Sequence, residues 1–106
     1  MFARNQRYSF KNGAPKKIYS SPLFVIRYDR NEEQKLECAV VVGKKVDKRA
    51  VVRNKLKRQI VSLIKEMLLP ETPVKLVIFA KKPLNGVSNE EKKEELLKTF
   101  RATQII

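Results

Sequence analysis

Fifteen residues, Lys44 through Arg58, carry eight basic side chains and a single acid. The cations are Lys44, Lys45, Lys48, Arg49, Arg53, Lys55, Lys57 and Arg58, with Asp47 and Asn54 between them. Like charges crowded together repel, so a segment of this kind calls for a polyanion. Phosphate backbones are the usual partner. The chemistry on offer is phosphate contact rather than bond cleavage. The chain has no histidine and one cysteine, Cys38. A Ser/His or Cys/His dyad therefore cannot be assembled within it, and a zinc site lacks ligands. Cys38 lies in the apolar run Cys38-Ala39-Val40-Val41-Val42 and reads as a small buried side chain. Glu90, Glu91, Glu94 and Glu95 interleave with Lys92, Lys93 and Lys98, the pattern of a solvated helix face rather than of an acid/base pair. Asp47 alone is a weak basis for a cation site, so no protein-bound metal is expected.

The whole chain agrees in sign. Its 24 Lys and Arg outweigh 11 Asp and Glu, a net charge of +13 over 106 residues. Residues 1–58 carry a net +11 and residues 59–106 a net +2, so the charge is not an even solubility coat. No stretch approaches the roughly 20 apolar residues of a membrane span, and no secretory apolar segment follows Met1. The expectation is a soluble, cytoplasmic protein with no membrane partner. The length suits one domain over residues 1–106 with a modest core.

The elements that position the basic segment are short. Residues 1–20 are basic and weakly patterned, and Gly13 and Pro15 block any helix across that point. Leu23-Phe24-Val25-Ile26-Arg27-Tyr28 is a β-rich run, Asp29 to Gln34 a polar turn, and Leu36 to Val42 a second strand. These two strands are expected to pair as an antiparallel hairpin. A helix runs from about Ala50 to about Leu69 and stops before Pro70. Val52, Leu56, Ile60, Leu63 and Met67 share its core face on a helical wheel, flanked by Arg53 and Lys57, with Asn54, Arg58 and Lys65 nearly opposite. Val74 to Ala80 is a third strand and residues 81–86 a loop. Ser88 and Glu91 form a capping-box pattern for a helix from about Asn89 to Ala102, which would bury Leu96, Leu97 and Phe100. The order describes a small single-domain α+β sandwich, with one mainly antiparallel sheet covered by helices.

Gly43-Lys44-Lys45-Val46, followed by Ala50-Val51-Val52-Arg53-Asn54-Lys55-Leu56-Lys57-Arg58, resembles the signature of the protein component of bacterial ribonuclease P. Ser21-Pro22-Leu23-Phe24, Leu76-Val77-Ile78-Phe79-Ala80 and residues 88–102 resemble further family elements. Lys55 stands where the family usually has Arg, keeping the charge but losing the planar fork. The N-terminal region is short, with Phe10 in the family's aromatic position. The resemblance implies a ribosomal-protein-like fold in which Leu36–Val42 and Val74–Ala80 lie parallel, joined through the long helix by a left-handed β-α-β crossover. Pattern alone gives the opposite hand.

The resemblance also implies a function. The family's protein assists a large catalytic RNA in endonucleolytic removal of the 5′ leader from precursor tRNA. Hydrolysis belongs to the RNA and its Mg²⁺, with no catalytic residue in the protein, no cofactor of its own and no obligate protein partner. Lys44, Lys45, Lys48, Arg49, Arg53, Asn54, Lys55, Lys57 and Arg58 are the expected RNA contacts. Phe10, Phe24 and Tyr28 are candidates for stacking the single-stranded leader in a cleft between sheet and helices. The rival reading is a basic ribosomal or general RNA-binding protein with no part in cleavage. A DNA-binding module would need a partner helix at helix-turn-helix spacing. A stand-alone nuclease would need histidine or an acidic metal cluster.

Overall fold

In the computed structural model of the protein, the described residues are Arg7, Tyr8, Gly13 and 15–106. The strands are β1 (Lys17–Ser20), β2 (Phe24–Arg30), β3 (Glu37–Val41) and β4 (Val74–Ala80), and the helices α1 (Ala50–Met67) and α2 (Asn89–Ala102). The sheet runs β1-β2-β4-β3. β1 and β2 are antiparallel, β2 and β4 antiparallel, β3 and β4 parallel. The expected parallel pair is present, with α1 as its connection.

The expected hairpin of β2 with β3 is not formed, because β4 lies between them. β4 is the most apolar strand, with Leu76, Val77 and Ile78 all fully buried. A strand buried on both faces belongs at the centre of a sheet. The polar turn after β2 passes the start of β4 instead of closing a hairpin. The Asn31 N–H donates to the Pro73 carbonyl at 2.9 Å and the Leu36 N–H to the Pro70 carbonyl at 2.8 Å. β1 is an edge strand that patterning missed, since its residues are mostly exposed. Its tight connection is fastened by Ser21, whose hydroxyl accepts from the Phe24 N–H at 3.0 Å.

One face of the sheet presents Phe24, Ile26, Cys38, Val40, Leu76 and Ile78 to the helices. α1 buries Leu56, Ile60, Val61, Leu63 and Ile64 against it. Val61 and Ile64 were not on the expected face, while Val52 and Met67 are only half-buried. The buried stripe is rotated toward Val61 and Ile64, which join the core cluster with the sheet residues, while Val52 and Met67 pack at its margin. α2 buries Leu96, Thr99, Phe100 and Lys92, with Leu97 half-exposed. Its N-cap is as expected: the Ser88 hydroxyl accepts from the Glu91 N–H at 3.2 Å. Cys38 is buried, and that burial pushes its thiol pKa well up.

Candidate nucleic-acid interface

Because β3 and β4 are parallel, their carboxyl ends lie at the same edge of the domain. The loop after β3 carries Lys44 to Arg49, and the loop after β4 carries Lys81 to Gly86. They meet where Asn85 Nδ2 donates to Asp47 Oδ2 at 2.7 Å. Asp47 also accepts from the Arg49 backbone N–H at 2.8 Å, from Arg49 Nε at 3.1 Å and from Arg49 Nη2 at 3.0 Å. The hydrogen bonds from the Arg49 side chain, then from its backbone, hold the Asp47 carboxyl down at about 2, with the Arg49 charge and Asn85 adding to the effect. The only acid of the segment is thus occupied within the loop. Lys44, Lys45, Lys48, Arg49 and Lys82 line an open depression of about 610 Å³ with Val46 and Asp47. Lys82 was read only as a loop residue; the parallel pairing of β3 and β4 is what brings it here.

Arg53 takes a role that charge counting does not reveal. It is half-buried, and its Nη1 donates to the Asp47 carbonyl at 3.2 Å and to the Lys48 carbonyl at 2.8 Å. The guanidinium ties the first turn of α1 to the lysine loop. α1 has no side-chain cap hydrogen bond at Arg49 and no acid in its first turn. The carboxylate nearest its positive end is Asp47, which accepts from the Arg49 backbone N–H just ahead of the first turn.

Three directions leave α1. Lys57 faces the β3 edge, where a cleft of about 180 Å³ is lined by Arg7, Tyr8, Cys38, Ala39, Val40 and Val61 as well. Tyr8 is fixed there by its backbone N–H, which donates to the Cys38 carbonyl at 3.1 Å. Asn54 and Arg58 are exposed on the outer side. Lys55, also exposed, faces the groove toward α2 with Gln59 and Lys92. Among the described residues three ion pairs occur, and only Arg49–Asp47 involves the basic segment.

The proposed stacking rings do not converge on this surface. Phe24 is fully buried in the core and offers no ring face to a base. Tyr28 is half-buried and pairs with Leu76 near the start of β4, toward the opposite end of the sheet from the lysine loop. Its ring lies under Lys17 Nζ, 5.9 Å from the centroid. Phe10 lies outside the described residues. The cleft beside Lys57 instead has Tyr8 and Arg7, which sequence patterning did not single out. Lys92 also departs from expectation. It is 4% exposed rather than part of a solvated face, because Lys92, Leu96 and Phe100 form one stripe at four-residue spacing.

The sequence model of the family described as Ribonuclease P matches residues 3–104. The chain belongs to this family. The ribonuclease P protein component of Mesoplasma florum is 35% identical over 83 residues, covering 76% of this chain and 74% of that protein. That of Bacillus velezensis is 35% identical over 77 residues, covering 73% and 66%. Among solved structures, the RNase P protein from Thermotoga maritima superposes with a TM-score of 0.67 at 25% identity, over 78% of this chain and 79% of that one. The Staphylococcus aureus RNase P protein gives 0.73 at 22% identity over 84% and 82%, a likeness of fold. The ribonuclease P family supplies the protein subunit of an endoribonuclease that matures tRNA 5′ ends, and in this family catalysis is carried by the RNA.

Proposed function

We propose that this ribonuclease P subunit binds the catalytic RNA through the lysine loop and the outer side of α1, and holds the 5′ leader of precursor tRNA in the cleft beside Lys57. The observation that carries this is the uncompensated charge at one end of the domain. Lys44, Lys45, Lys48 and Lys82 gather ahead of α1, Lys55, Lys57 and Arg58 follow along its first half, and the one local carboxylate is held by Arg49 and Asn85. Each phosphate that such a surface neutralises releases counterions, which gives affinity and a steep dependence on salt. The cleft combines two cations with the Tyr8 ring, the pairing that suits an unpaired nucleotide: charge for its phosphate and a π-face for its base.

The protein's part in cleavage is assembly and positioning. Its cations reduce repulsion between the phosphates of catalytic RNA and substrate, so the RNA needs less Mg²⁺ to reach its active arrangement. Mg²⁺ acts with the RNA-containing holoenzyme. Asp47 is already saturated with donors and is poorly placed to serve as a ligand. The domain is a cytoplasmic partner of catalytic RNA and precursor tRNA; among the described residues no helix is long and apolar enough to cross a membrane.

Reconstitution tests this. Precursor tRNA is incubated with the organism's own catalytic RNA at low Mg²⁺, with and without the protein. Cleavage at the mature 5′ end should rise strongly with protein present and be absent with protein alone. Cleavage by RNA-free protein, or no stimulation at any Mg²⁺ concentration, would overturn the reading.

A further inference from the structure

α1 borders a second groove, on the side away from the Lys57 cleft. It holds about 270 Å³ and is walled by Arg49, Lys55, Gln59, Asn85 and Lys92, with Leu56 at its base. Lys92 is the unusual member. It is 4% exposed, and its Nζ donates to Gln59 Oε1 at 2.8 Å. An ammonium has three donors, and glutamine is neutral. Among the described residues no carboxylate lies within ion-pair distance of Lys92. The neighbouring carboxylates do not pair with it: Glu91 is exposed, and Asp47 is taken by Arg49 and Asn85. Lys55 lines the same groove as Lys92; burial lowers the Lys92 pKa, and the charge of Lys55 lowers it further.

Buried charges in proteins are ordinarily paired, because an unpaired one is costly. Here two lysines converge on a cavity with no carboxylate in its lining, and the third cation, Arg49, is paired with Asp47 just outside it. An anion entering the groove would accept hydrogen bonds from Lys92 and relieve the repulsion between Lys92 and Lys55. The groove opens beside the exposed Lys55, next to the outer side of α1, so an RNA backbone held on that side would pass its mouth.

We propose that this groove is a phosphate pocket for the RNA backbone, with Lys92 as its buried cation and Lys55 and Arg49 at its rim. It is separate from the leader cleft at Lys57, and it rests on the reading of the chain as an RNA-binding subunit. A backbone phosphate is the fitting ligand: it is a compact anion that accepts several hydrogen bonds and is held at fixed spacing by the rest of the RNA.

The test measures binding of full-length protein to catalytic RNA across a series of KCl concentrations. Lys92→Met keeps the length of the side chain and removes the charge. It should weaken binding about tenfold, the scale of one hydrogen bond to a charged group. It should also lower the log–log salt slope by about 0.7 to 0.9, without lowering Tm. Lys55→Met, at the exposed rim, should act in the same direction, and the double variant should lose less than the product of the two because both serve one phosphate. Lys98→Met, on the outer side of α2, should leave both quantities unchanged. In the unsubstituted protein, RNA should shift the Lys92 ¹³Cε resonance, a readout that needs no change at Lys92. Wild-type affinity and slope in Lys92→Met, or a Lys92 resonance unmoved by RNA, would overturn the pocket while leaving the subunit's RNA binding intact. If inorganic phosphate raised the Tm of wild type but not of Lys92→Met, and the two bound RNA equally, the site would take free phosphate and the RNA assignment would fall. Failure of the wild-type protein to bind catalytic RNA at all would instead overturn the functional reading itself.

Discussion

Replacing Arg53 with lysine separates bracing from charge. Arg53 Nη1 reaches two loop carbonyls, at 3.2 Å on Asp47 and 2.8 Å on Lys48. Lysine keeps the positive charge but replaces a nitrogen fixed in a planar guanidinium by one on a flexible stem one atom shorter, which does not hold both contacts. Losing one hydrogen bond from a charged donor, together with part of a half-buried contact, costs about 1–2 kcal/mol. In a domain of about 100 residues that corresponds to a Tm lower by about 5–10 °C. RNA affinity should fall about three- to tenfold, equivalent to about 0.7–1.4 kcal/mol, because Lys44, Lys45 and Lys48 are no longer presented in one arrangement. The salt slope should stay near wild type, since no charge is lost. Arg58→Lys is the comparison. Arg58 is exposed, so its replacement should change stability by less than about 0.5 kcal/mol. Thermal unfolding followed by circular dichroism, with RNA titrations at several salt concentrations, reads both quantities. Equal Tm and equal affinity for the two lysine variants would refute the bracing role and leave Arg53 as one more cation.

Other outcomes follow from the same geometry. The Asp47 carboxyl should titrate near 2 by carboxyl ¹³C resonance rather than near the ordinary 3.8; because its folded pKa is depressed, the loop contacts are complete above about pH 4 and are lost as pH falls toward 2, and a midpoint near 3.8 would contradict the hydrogen-bond set. Cys38 should resist thiol reagents in the folded protein and react fully in denaturant, since the thiol is buried and its pKa raised; rapid labelling under native conditions would place it elsewhere. Phe100→Ala should cost about 3–5 kcal/mol of stability, measured by urea unfolding, because a fully buried ring leaves a cavity, whereas Lys98→Ala should stay within about 0.5 kcal/mol.

The basic segment was legible because its signal is compositional: eight cations in Lys44 to Arg58 need no tertiary information. The bounds of β4 and α2 were legible too, from an apolar run and from the Ser88 cap. Strand order was harder, because patterning shows that a strand is buried but not which strands flank it. Leu36 to Val42 and Val74 to Ala80 are both apolar runs, yet only β4 is central. β1 carries almost no apolar signal, and backbone pairing with β2 makes it a strand. The wheel of α1 was centred too near Val52 because packing, not periodicity, decides which side of the apolar stripe meets the sheet, and Val61 and Ile64 lie on that side. Lys92 could have been found, since it precedes Leu96 and Phe100 at four-residue steps, but the surrounding glutamates masked the stripe. Arg7, Tyr8 and Lys82 reach the interface only through topology: the first two along the β3 edge, the third beside the lysine loop.

The salt dependence of binding to catalytic RNA tests most directly whether RNA is held at the basic end of the domain. Lys48, Lys57 and Arg58 are replaced together by alanine, and Lys93, Lys98 and Arg101 together in a control of equal charge on α2. Leu56, Ile60, Val61, Leu63 and Ile64 still bury the helix in the first variant, and both proteins should fold. The expected result is a slope shallower by about 2 to 3 in the first variant, with a large loss of affinity, and a control near wild type. Equal losses of slope and affinity in the two variants would show the charge acting as a diffuse cloud and contradict a localised RNA site on α1.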